Sequence, residues 1–278
     1  MGMWLMRFMA LGLFALAAFS ADQALAAAGQ PHPWQIGLQD SASPVMDNII
    51  SFHNLVMYII TAITLFVLVL LVLVIVKFNA RSNPTPTRTT HNTTLEVAWT
   101  LIPVLILVTI AVPSFRLLFY QQNLPPADLV IKATGKQWFW SYSYPDAKIE
   151  FDSIMVQDKD RKPDQPRLLA VDNPLVVPIN KVVRVQSIGA DVIHAFAVPS
   201  FGVKIDAVPG RLNEVWFKAT KEGTYYGQCS ELCGKDHAFM PIEVRVVSDQ
   251  AYNAWLDDAK KKFSADAGGP AATTLAAR

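Results

Sequence analysis

The sequence predicts a two-helix transmembrane hairpin followed by an all-β domain that forms an antiparallel sandwich or barrel. Composition is the first indication, since the chain of 278 residues is 52% hydrophobic and only 17% charged, which is low in charge for a water-soluble protein. The second is a pair of long charge-free runs within the first 120 positions, and the third is the series of short alternating segments that follows them. The formal net charge of +1 gives no support for nucleic-acid binding.

Residues 1–28 are interpreted as a secretory signal peptide. Arg7 precedes an apolar stretch from Phe8 to Phe19, which is too short to span a bilayer. The small residues of "ALAAAGQ" then provide a cleavage site near Ala28. An uncleaved anchor helix is disfavoured because Asp22 and Gln23 interrupt the apolar run. Export places the mature N-terminus outside the cytoplasm, in a compartment that permits disulfides.

Residues 29–122 are predicted to form an N-terminal segment and the hairpin, with helices at about 50–77 and 94–120. The charge-free runs are Leu55–Val76 and Val97–Phe115. At ~1.5 Å per residue they extend over roughly 33 and 28 Å, enough to cross the hydrocarbon core of a bilayer. A buried hairpin in a soluble protein is the alternative, which two such long runs disfavour.

The connection between the spans indicates their direction. It carries Lys77, Arg81 and Arg88, and it has no acidic residue before Glu96. Because positively charged loops stay in the cytoplasm, this loop is predicted to be cytoplasmic, with the domain after about Leu118 on the outside. The signal peptide gives the same topology independently.

Glu96 lies at the cytoplasmic start of the second span. An acid in the first turn of a helix is stabilised by the helix dipole by ~0.3–1 kcal/mol, and from the residues alone this structural interpretation is favoured. The functional alternative is a proton-uptake carboxylate, since ionisable groups at membrane edges often mark ion paths.

Residues 125–262 are predicted to form the exported β domain. "LVIKATGKQWFWSYSY" is rich in β-branched and aromatic residues, and "KVVRVQS" alternates. In "MPIEVRVVS", Ile242 and Val244 alternate with Glu243 and Arg245, which puts the two charged residues on the opposite face. "DQAYNAWLDDAKKKF" has a helical pattern and is expected to pack on the barrel through Tyr252, Trp255 and Leu256. Residues 263–278 are small and polar and are predicted to be a disordered tail.

Both cysteines of the chain lie in "GQCSELCGKDHAFM", which reads as C-x3-C-x3-H-x2-M. A disulfide across so short a loop contributes only about 2 kcal/mol, and it leaves His237 and Met240 unexplained. Thiolate, thioether and imidazole together select copper. A single copper needs one Cys, two His and an axial Met, whereas two cysteines on one loop favour two coppers bridged by both sulfurs. His194 and His237 then complete the copper ligands, with Met240 as a weak axial ligand and the Glu231 carbonyl as a further donor.

From about Met46 to Ser248, the chain resembles subunit II of a bacterial haem–copper cytochrome c oxidase. The residues that carry the resemblance are "CSELCGKDHAFMP", "DVIHAFAVPSFGVKIDAVPGRLN", "GKQWFWSYSYP" and, in the second span, "LEVAWTLIPVLILVTIAVPS". The resemblance implies a cupredoxin-like Greek-key barrel on a two-helix anchor in the bacterial inner membrane, with the barrel in the periplasm. It also implies a dinuclear copper centre (CuA) that accepts electrons from cytochrome c. The electrons pass to haem in subunit I, where oxygen is reduced with proton pumping, and subunit III is a further partner.

The resemblance implies roles for individual residues. It places the copper ligands at six positions: His194, Cys229, Glu231 through its carbonyl, Cys233, His237 and Met240. It makes the Glu231 side chain a magnesium ligand at the border with subunit I, Trp138 the aromatic residue that receives electrons, and Glu96 the acid at the entrance of a proton channel. Asp172 and Asp191 correspond to acids that dock cytochrome c, and both could equally be turn acids.

The chain departs from the family pattern at the docking face. Ser143 stands where the family often has an acid, Lys136 replaces a common histidine, and Lys148 adds positive charge nearby. These differences predict weaker electrostatic steering or a different donor.

Two other functions are compatible with parts of the sequence. A membrane-anchored copper-delivery or thiol–disulfide protein also carries C-x3-C with a distant histidine, but it has one anchor, a thioredoxin-like βαβ pattern and no H-x2-M after the cysteines. A quinol-oxidase subunit of the same fold lacks copper, which the intact ligand set disfavours.

Overall fold

The computed structural model describes residues 29–263. The predicted signal peptide and the tail after Phe263 lie outside these residues. The chain divides into two compact units, of which one is the hairpin Asp47–Asn123. The other contains the β domain from Leu124 onward together with the segment before the hairpin, up to Met46.

Two helices form the hairpin: α1 (Pro44–Lys77) and α2 (Thr93–Gln122). Each begins earlier than the charge-free run that predicted it, because polar turns extend both helices at their N-terminal ends. Asn92 caps α2, since its side chain accepts a hydrogen bond from the backbone N–H of Leu95. Both helices are long and apolar enough to cross a membrane, and their apolar side chains are largely exposed, as a lipid-facing or subunit-facing surface requires.

Ten strands build the β domain, and a C-terminal helix, α3 (Asp249–Phe263), follows them. The strands are β1 (Leu129–Lys136), β2 (Phe139–Tyr144), β3 (Ile149–Ser153), β4 (Leu175–Pro178), β5 (Val182–Gly189), β6 (His194–Val198), β7 (Val203–Ala207), β8 (Asn213–Lys218), β9 (Gly223–Gln228) and β10 (Pro241–Val247). They form a sheet of order β3-β2-β1-β5-β8, a sheet of order β4-β10-β9 and the hairpin β6-β7. This is the sandwich or barrel that the alternating segments predicted.

Two strand pairs differ from the antiparallel arrangement that the sequence predicted. Strands β1 and β5 pair in parallel, and so do β4 and β10. Alternation of polar and apolar residues fixes which face of a strand is buried, but it carries no information on the direction of the neighbouring strand. Parallel neighbours require long connections between them. Here β2, β3 and β4 lie between β1 and β5 in the chain, and five strands lie between β4 and β10.

Aromatic residues fill the core between the sheets. Trp140 packs edge-on against Phe196, with ring centroids 5.7 Å apart. The ring centroid of Trp255, in α3, lies 5.2 Å from that of Tyr144, and the ring centroids of Phe263 and Phe151 are 4.9 Å apart. The predicted packing of α3 on the barrel through Trp255 is confirmed, and the helix ends at Phe263, the last residue of the helical pattern in the sequence.

The segment before α1 is tied to the β domain by main-chain hydrogen bonds. The backbone N–H of Ala42 donates to Ser200 O, and the N–H of Thr220 donates to Ala42 O, both at 2.9 Å. The carbonyl of Gly29 accepts from the N–H of Tyr226 at 2.8 Å. The β domain therefore includes a piece of chain that lies before the first span in sequence.

Glu243 contradicts the simple alternation of β10. Its side chain is almost fully buried, and its carboxylate accepts hydrogen bonds from the Val171 N–H and from the Arg245 guanidinium. A buried carboxylate is tolerated only when it is paired and hydrogen-bonded. The long connection between β3 and β4 covers this face of β10, so the position that the pattern assigned to the outer face lies inside.

Candidate metal centre

Two loops at one end of the β domain bring the predicted ligands together. His194 is the first residue of β6, and the two cysteines lie on the connection from β9 to β10, which ends at Met240. The N–H of Ser230 donates to Ala195 O at 3.0 Å, and this bond fastens the cysteine loop to β6 directly beside His194.

The strands that carry these loops approach closely at Gly227. A Cβ atom at this position would overlap the carbonyl oxygen of Ala197, so only glycine fits between β9 and β6. This approach brings the cysteine loop within reach of His194.

Four further donors surround the two thiols. The sulfur atoms of Cys229 and Cys233 are 3.9 Å apart. His194 Nδ1 lies 3.9 Å from the Cys229 sulfur, and on the other side of the pair His237 Nδ1 and Met240 Sδ lie 3.5 and 3.6 Å from the Cys233 sulfur. The carbonyl oxygen of Glu231 lies 3.4 Å from the Cys229 sulfur. All six predicted ligands thus converge on one point of the fold.

The second nitrogen of His194 is held by Asp191. Its Nε2 atom lies 2.8 Å from Asp191 Oδ1 and donates to that carboxylate, which leaves Nδ1 as a lone-pair donor directed at the thiols. Asp191 also accepts from the backbone N–H groups of Gln137 and Val192, each at 2.7 Å. A carboxylate behind a ligand histidine fixes its tautomer and raises its basicity. The sequence identified Asp191 only as a docking or turn acid, and the i, i+3 spacing to His194 was the signal for this further role.

The pKa values of these groups shift in opposite directions. Burial acts to raise the pKa of the Cys229 thiol, but hydrogen bonding to His194 and to the backbone outweighs burial and lowers it. Burial and the negative charge of Cys229 raise the pKa of Cys233. For His194, burial acts to lower the pKa, while Cys229 and Asp191 outweigh it and raise the value. The pair therefore holds one negative charge readily, and a bound cation is needed for both sulfurs to ionise near neutral pH.

The donor set fits copper. His194, Cys229 and Cys233 form a buried cluster whose ligand atoms lie within 4.8 Å of one another. Thiolate, thioether and imidazole donors in one buried site select copper over hard cations. Two thiolates, with one imidazole beside each, match the two-copper arrangement better than a single-copper site, which uses one thiolate. Both cysteines are free thiols, so the sulfurs are available as ligands.

Trp138 contacts the cysteine loop directly. Its indole N–H donates to the carbonyl oxygen of Cys233 at 3.2 Å, and the Gln137 side-chain amide donates to the same oxygen at 2.9 Å. Gly234 makes this contact possible, because its φ of +125° lies in the region that favours glycine and a Cβ atom would lie 3.0 Å from the indole ring. Trp138 is partly exposed, so it connects the surface with a ligand.

Other predicted residues lie away from the thiols. Glu96 is in the first turn of α2, in the hairpin. Asp172 accepts hydrogen bonds from the N–H groups of Ile154 and Asn173, as a turn acid does. The side chain of Glu231 belongs to an exposed residue, although its carbonyl faces the cysteines.

Comparison with known proteins assigns the family. Residues 129–247 match the model of the cytochrome c oxidase subunit II periplasmic domain, and residues 31–117 match that of the transmembrane domain. The "Probable cytochrome c oxidase subunit 2" of Rickettsia bellii (strain RML369-C) is 54% identical over 235 residues, which cover 84% of this chain and 87% of that protein. The chain belongs to the cytochrome c oxidase subunit II family.

The chain is also similar to two further proteins. The cytochrome c oxidase subunit 2 of Cereibacter sphaeroides is 47% identical over 266 residues and covers 89% of this chain and 88% of its own length. The crystal structure of the periplasmic domain of subunit II of cytochrome oxidase from Bradyrhizobium japonicum is 69% identical, with a TM-score of 0.48, and covers 51% of this chain and 99% of its own.

Family membership confirms several predictions that were made from the sequence. As a member of the oxidase subunit II family, the chain is a membrane-anchored subunit of the oxidase complex, with its C-terminal domain in the periplasm. The family supports a role in electron acceptance by the oxidase, and a copper site of Cys and His residues is consistent with it. The copper-delivery or thiol–disulfide alternative is not favoured.

Proposed function

We propose that this subunit accepts electrons from cytochrome c at a dinuclear copper centre and passes them to haem in subunit I of a proton-pumping terminal oxidase. The observation that carries the proposal is the convergence of two free thiols, 3.9 Å apart, with two imidazole nitrogens and a thioether. The proposed ligands are His194, Cys229, the Glu231 carbonyl, Cys233, His237 and Met240.

The chain's part in this function is to hold the ligands still. When bound, the copper pair supplies an electron store that two thiolates share. The bond from Ser230 to β6 and the hydrogen bond from His194 to Asp191 fix the loop and one imidazole before any electron arrives. A site that moves little on reduction costs little reorganisation, and this favours fast electron transfer.

Trp138 is proposed as the residue through which the donor's electron reaches the site. It is partly exposed, and its indole N–H bonds to the carbonyl of Cys233. A donor that docks over Trp138 is therefore separated from a copper ligand by one side chain and one hydrogen bond.

The remaining predicted roles depend on the partner subunits. We propose that the exposed Glu231 side chain binds magnesium at the border with subunit I and that Glu96 lies at the entrance of a proton channel. Asp172 and Asp191 are proposed to contribute to cytochrome c docking, and for Asp191 this comes in addition to its bond with His194. Subunit III is a further proposed partner of the complex.

The test is spectroscopic and uses the intact oxidase purified from its membrane. We expect two coppers per subunit II and an EPR spectrum in which one unpaired electron is shared equally between two copper nuclei. Trp138→Phe should keep this spectrum and slow reduction by cytochrome c. A single copper per subunit, a disulfide between Cys229 and Cys233 in the working enzyme, or wild-type reduction of the Trp138 variant would contradict the proposal.

A further inference from the structure

The segment before α1 is fixed to the β domain at both of its ends. At one end, the carbonyl of Gly29 accepts a hydrogen bond from the backbone of β9 at 2.8 Å, and a Cβ atom at Gly29 would overlap that strand. At the other end, the N–H of Ala42 donates to Ser200 O and its carbonyl accepts from the Thr220 N–H, both at 2.9 Å. We call residues 30–40, which lie between these two anchors, the arch.

A cavity of about 240 Å³ separates the arch from the cysteine loop. Pro31 and Gln39 line the cavity from the arch, and Cys229 and Ser230 line it from the loop. Ala197, near the end of β6, forms part of the wall. One of the proposed copper ligands thus borders a space that the segment before α1 helps to enclose.

The cavity is a path from solvent to Cys229. Pro199 and Gln228 also line it and are exposed, so the cavity reaches the surface. Cys229 itself is only 6% exposed, because His194 and the rest of the cysteine loop cover its other sides. Among the described residues that line this cavity, Cys233 is absent. A small solute that enters here therefore meets Cys229 first.

The arch is held less firmly than its two anchors. Beside the cavity, the Gln39 side chain accepts a hydrogen bond from the Ser200 hydroxyl at 3.2 Å. At the centre of the arch, the side chains of Trp34 and Ile36 are exposed and bury no apolar surface. A segment with few buried contacts opens locally at a low cost in free energy, so the arch can lift while the anchor at Ala42 stays in place.

We propose that small soft ligands, among them copper(I) bound to a small thiol, reach Cys229 through this cavity and that the arch limits their passage. When the arch lies against the β domain, a loaded site retains its metal; when the arch lifts, metal and ligands exchange. The inference rests on the proposed function for the identity of the metal, whereas access to the thiol can be measured without any metal.

The first experiment measures this access on the full-length chain, purified in detergent from copper-depleted cells and kept anaerobic. The chain is treated with iodoacetamide, and mass spectrometry follows the initial alkylation of Cys229 and Cys233. Gln39→Ala removes the bond to Ser200 and widens the cavity. We expect alkylation of Cys229 to become about fivefold faster, the factor by which loss of one ordinary hydrogen bond shifts an opening equilibrium.

Two further variants test the route. Gln35→Ala makes the same chemical change within the arch, but the Gln35 side chain accepts from the His32 N–H and lies outside the cavity lining. It should leave the alkylation of Cys229 at the parent rate. Ala197→Leu fills the cavity from the side of β6 and should slow alkylation below the parent rate. Unchanged thermal unfolding shows that each variant keeps the fold.

The second experiment measures copper loss from the intact oxidase. The enzyme is incubated with cysteine as the small thiol and with bathocuproine disulfonate as the final acceptor of copper(I). Samples are reoxidised at intervals, and the EPR signal of the copper centre is recorded. We expect Gln39→Ala to lose this signal about fivefold faster than the parent, and Gln35→Ala to lose it at the parent rate.

The outcomes separate this inference from the proposed function. If Cys229 is alkylated equally fast in Gln39→Ala and in the parent, or if Gln35→Ala accelerates it as much, the arch does not control access and the copper proposal stands. Alkylation of Ala197→Leu at the parent rate overturns the cavity as the route. Faster alkylation in Gln39→Ala, together with a single copper per subunit in the oxidase, would support the arch and contradict the proposed function.

Discussion

At the scale of single residues, the bond between His194 and Asp191 determines which imidazole nitrogen faces the thiols. Asp191→Ala removes the acceptor from Nε2, so the ring loses its fixed tautomer and orientation. We expect copper affinity to fall by ~10–100-fold, the range for loss of a carboxylate behind a ligand histidine. Competition with a copper chelator in the intact chain measures this change.

Asp172→Ala is the matched control for this substitution. Asp172 also accepts hydrogen bonds from backbone N–H groups, those of Ile154 and Asn173, but it touches no thiol or imidazole. Its loss should leave copper affinity near the wild-type value. Equal losses in the two variants would mean that Asp191 acts only by supporting its turn.

Met240 is the weakest donor of the cluster. Its sulfur lies 3.6 Å from the Cys233 sulfur, and its side chain is buried. Met240→Leu keeps the volume and removes the thioether, so we expect both coppers to remain bound. The reduction potential should rise, because an axial donor that stabilises the oxidised centre is lost. Redox titration of the copper absorption measures the potential.

Met155→Leu serves as the control for the thioether. Met155 forms an isolated β-bridge with Val171 and is absent from the contacts of the thiols, so its replacement should leave the potential unchanged. Complete loss of copper from Met240→Leu would contradict a weak axial role.

At the scale of secondary-structure elements, the site depends on the close approach of β9 and β6 at Gly227. Gly227→Ala places a Cβ atom 1.9 Å from the carbonyl oxygen of Ala197. Because this oxygen belongs to the backbone of β6, it cannot move aside as the end of a flexible side chain can. We expect the free energy of unfolding to fall by about 3 kcal/mol or more and copper binding to be lost. Thermal unfolding of the intact chain in detergent, followed by tryptophan fluorescence, gives the change in midpoint.

Gly37→Ala provides a comparison on the same chain. Nothing lies within 4 Å of a Cβ atom built at Gly37, so the substitution should alter stability by about 0.5 kcal/mol or less. An equally small change in Gly227→Ala would contradict the prediction, because it would show that the contact between β6 and β9 tolerates a methyl group.

Element-level features were predictable where a local pattern determines them. The two spans follow from long charge-free runs, and the strands and α3 follow from periodic patterns; the structure contains each of them. The parallel pairing of β1 with β5 and the burial of Glu243 depend on segments that are distant in sequence, and a periodic pattern within one strand contains no trace of those segments.

At the scale of the whole molecule, the site also combines features that a local sequence pattern predicts with features that depend on distant segments. Four ligand side chains lie within one short segment, so their residue types alone indicated copper, and His194 was the one distant partner. The contact of Trp138 with Cys233 spans 95 positions, and Lys235 reaches the same ring from the copper loop. Such contacts depend on how distant segments pack in the folded domain, and a local pattern in a single sequence does not predict that packing.

The hydrogen bonds between Ala42 and Thr220 have a consequence for biosynthesis. Their two residues are 178 positions apart, and the hairpin lies between them in the chain. During synthesis, the short peptide ahead of α1 is made long before Ser200 and Thr220, the residues to which Ala42 is hydrogen-bonded. Its hydrogen bonds to these residues form only after the last third of the polypeptide has been made. A piece of chain that is synthesised before the hairpin is thus among the last to acquire its contacts in the β domain.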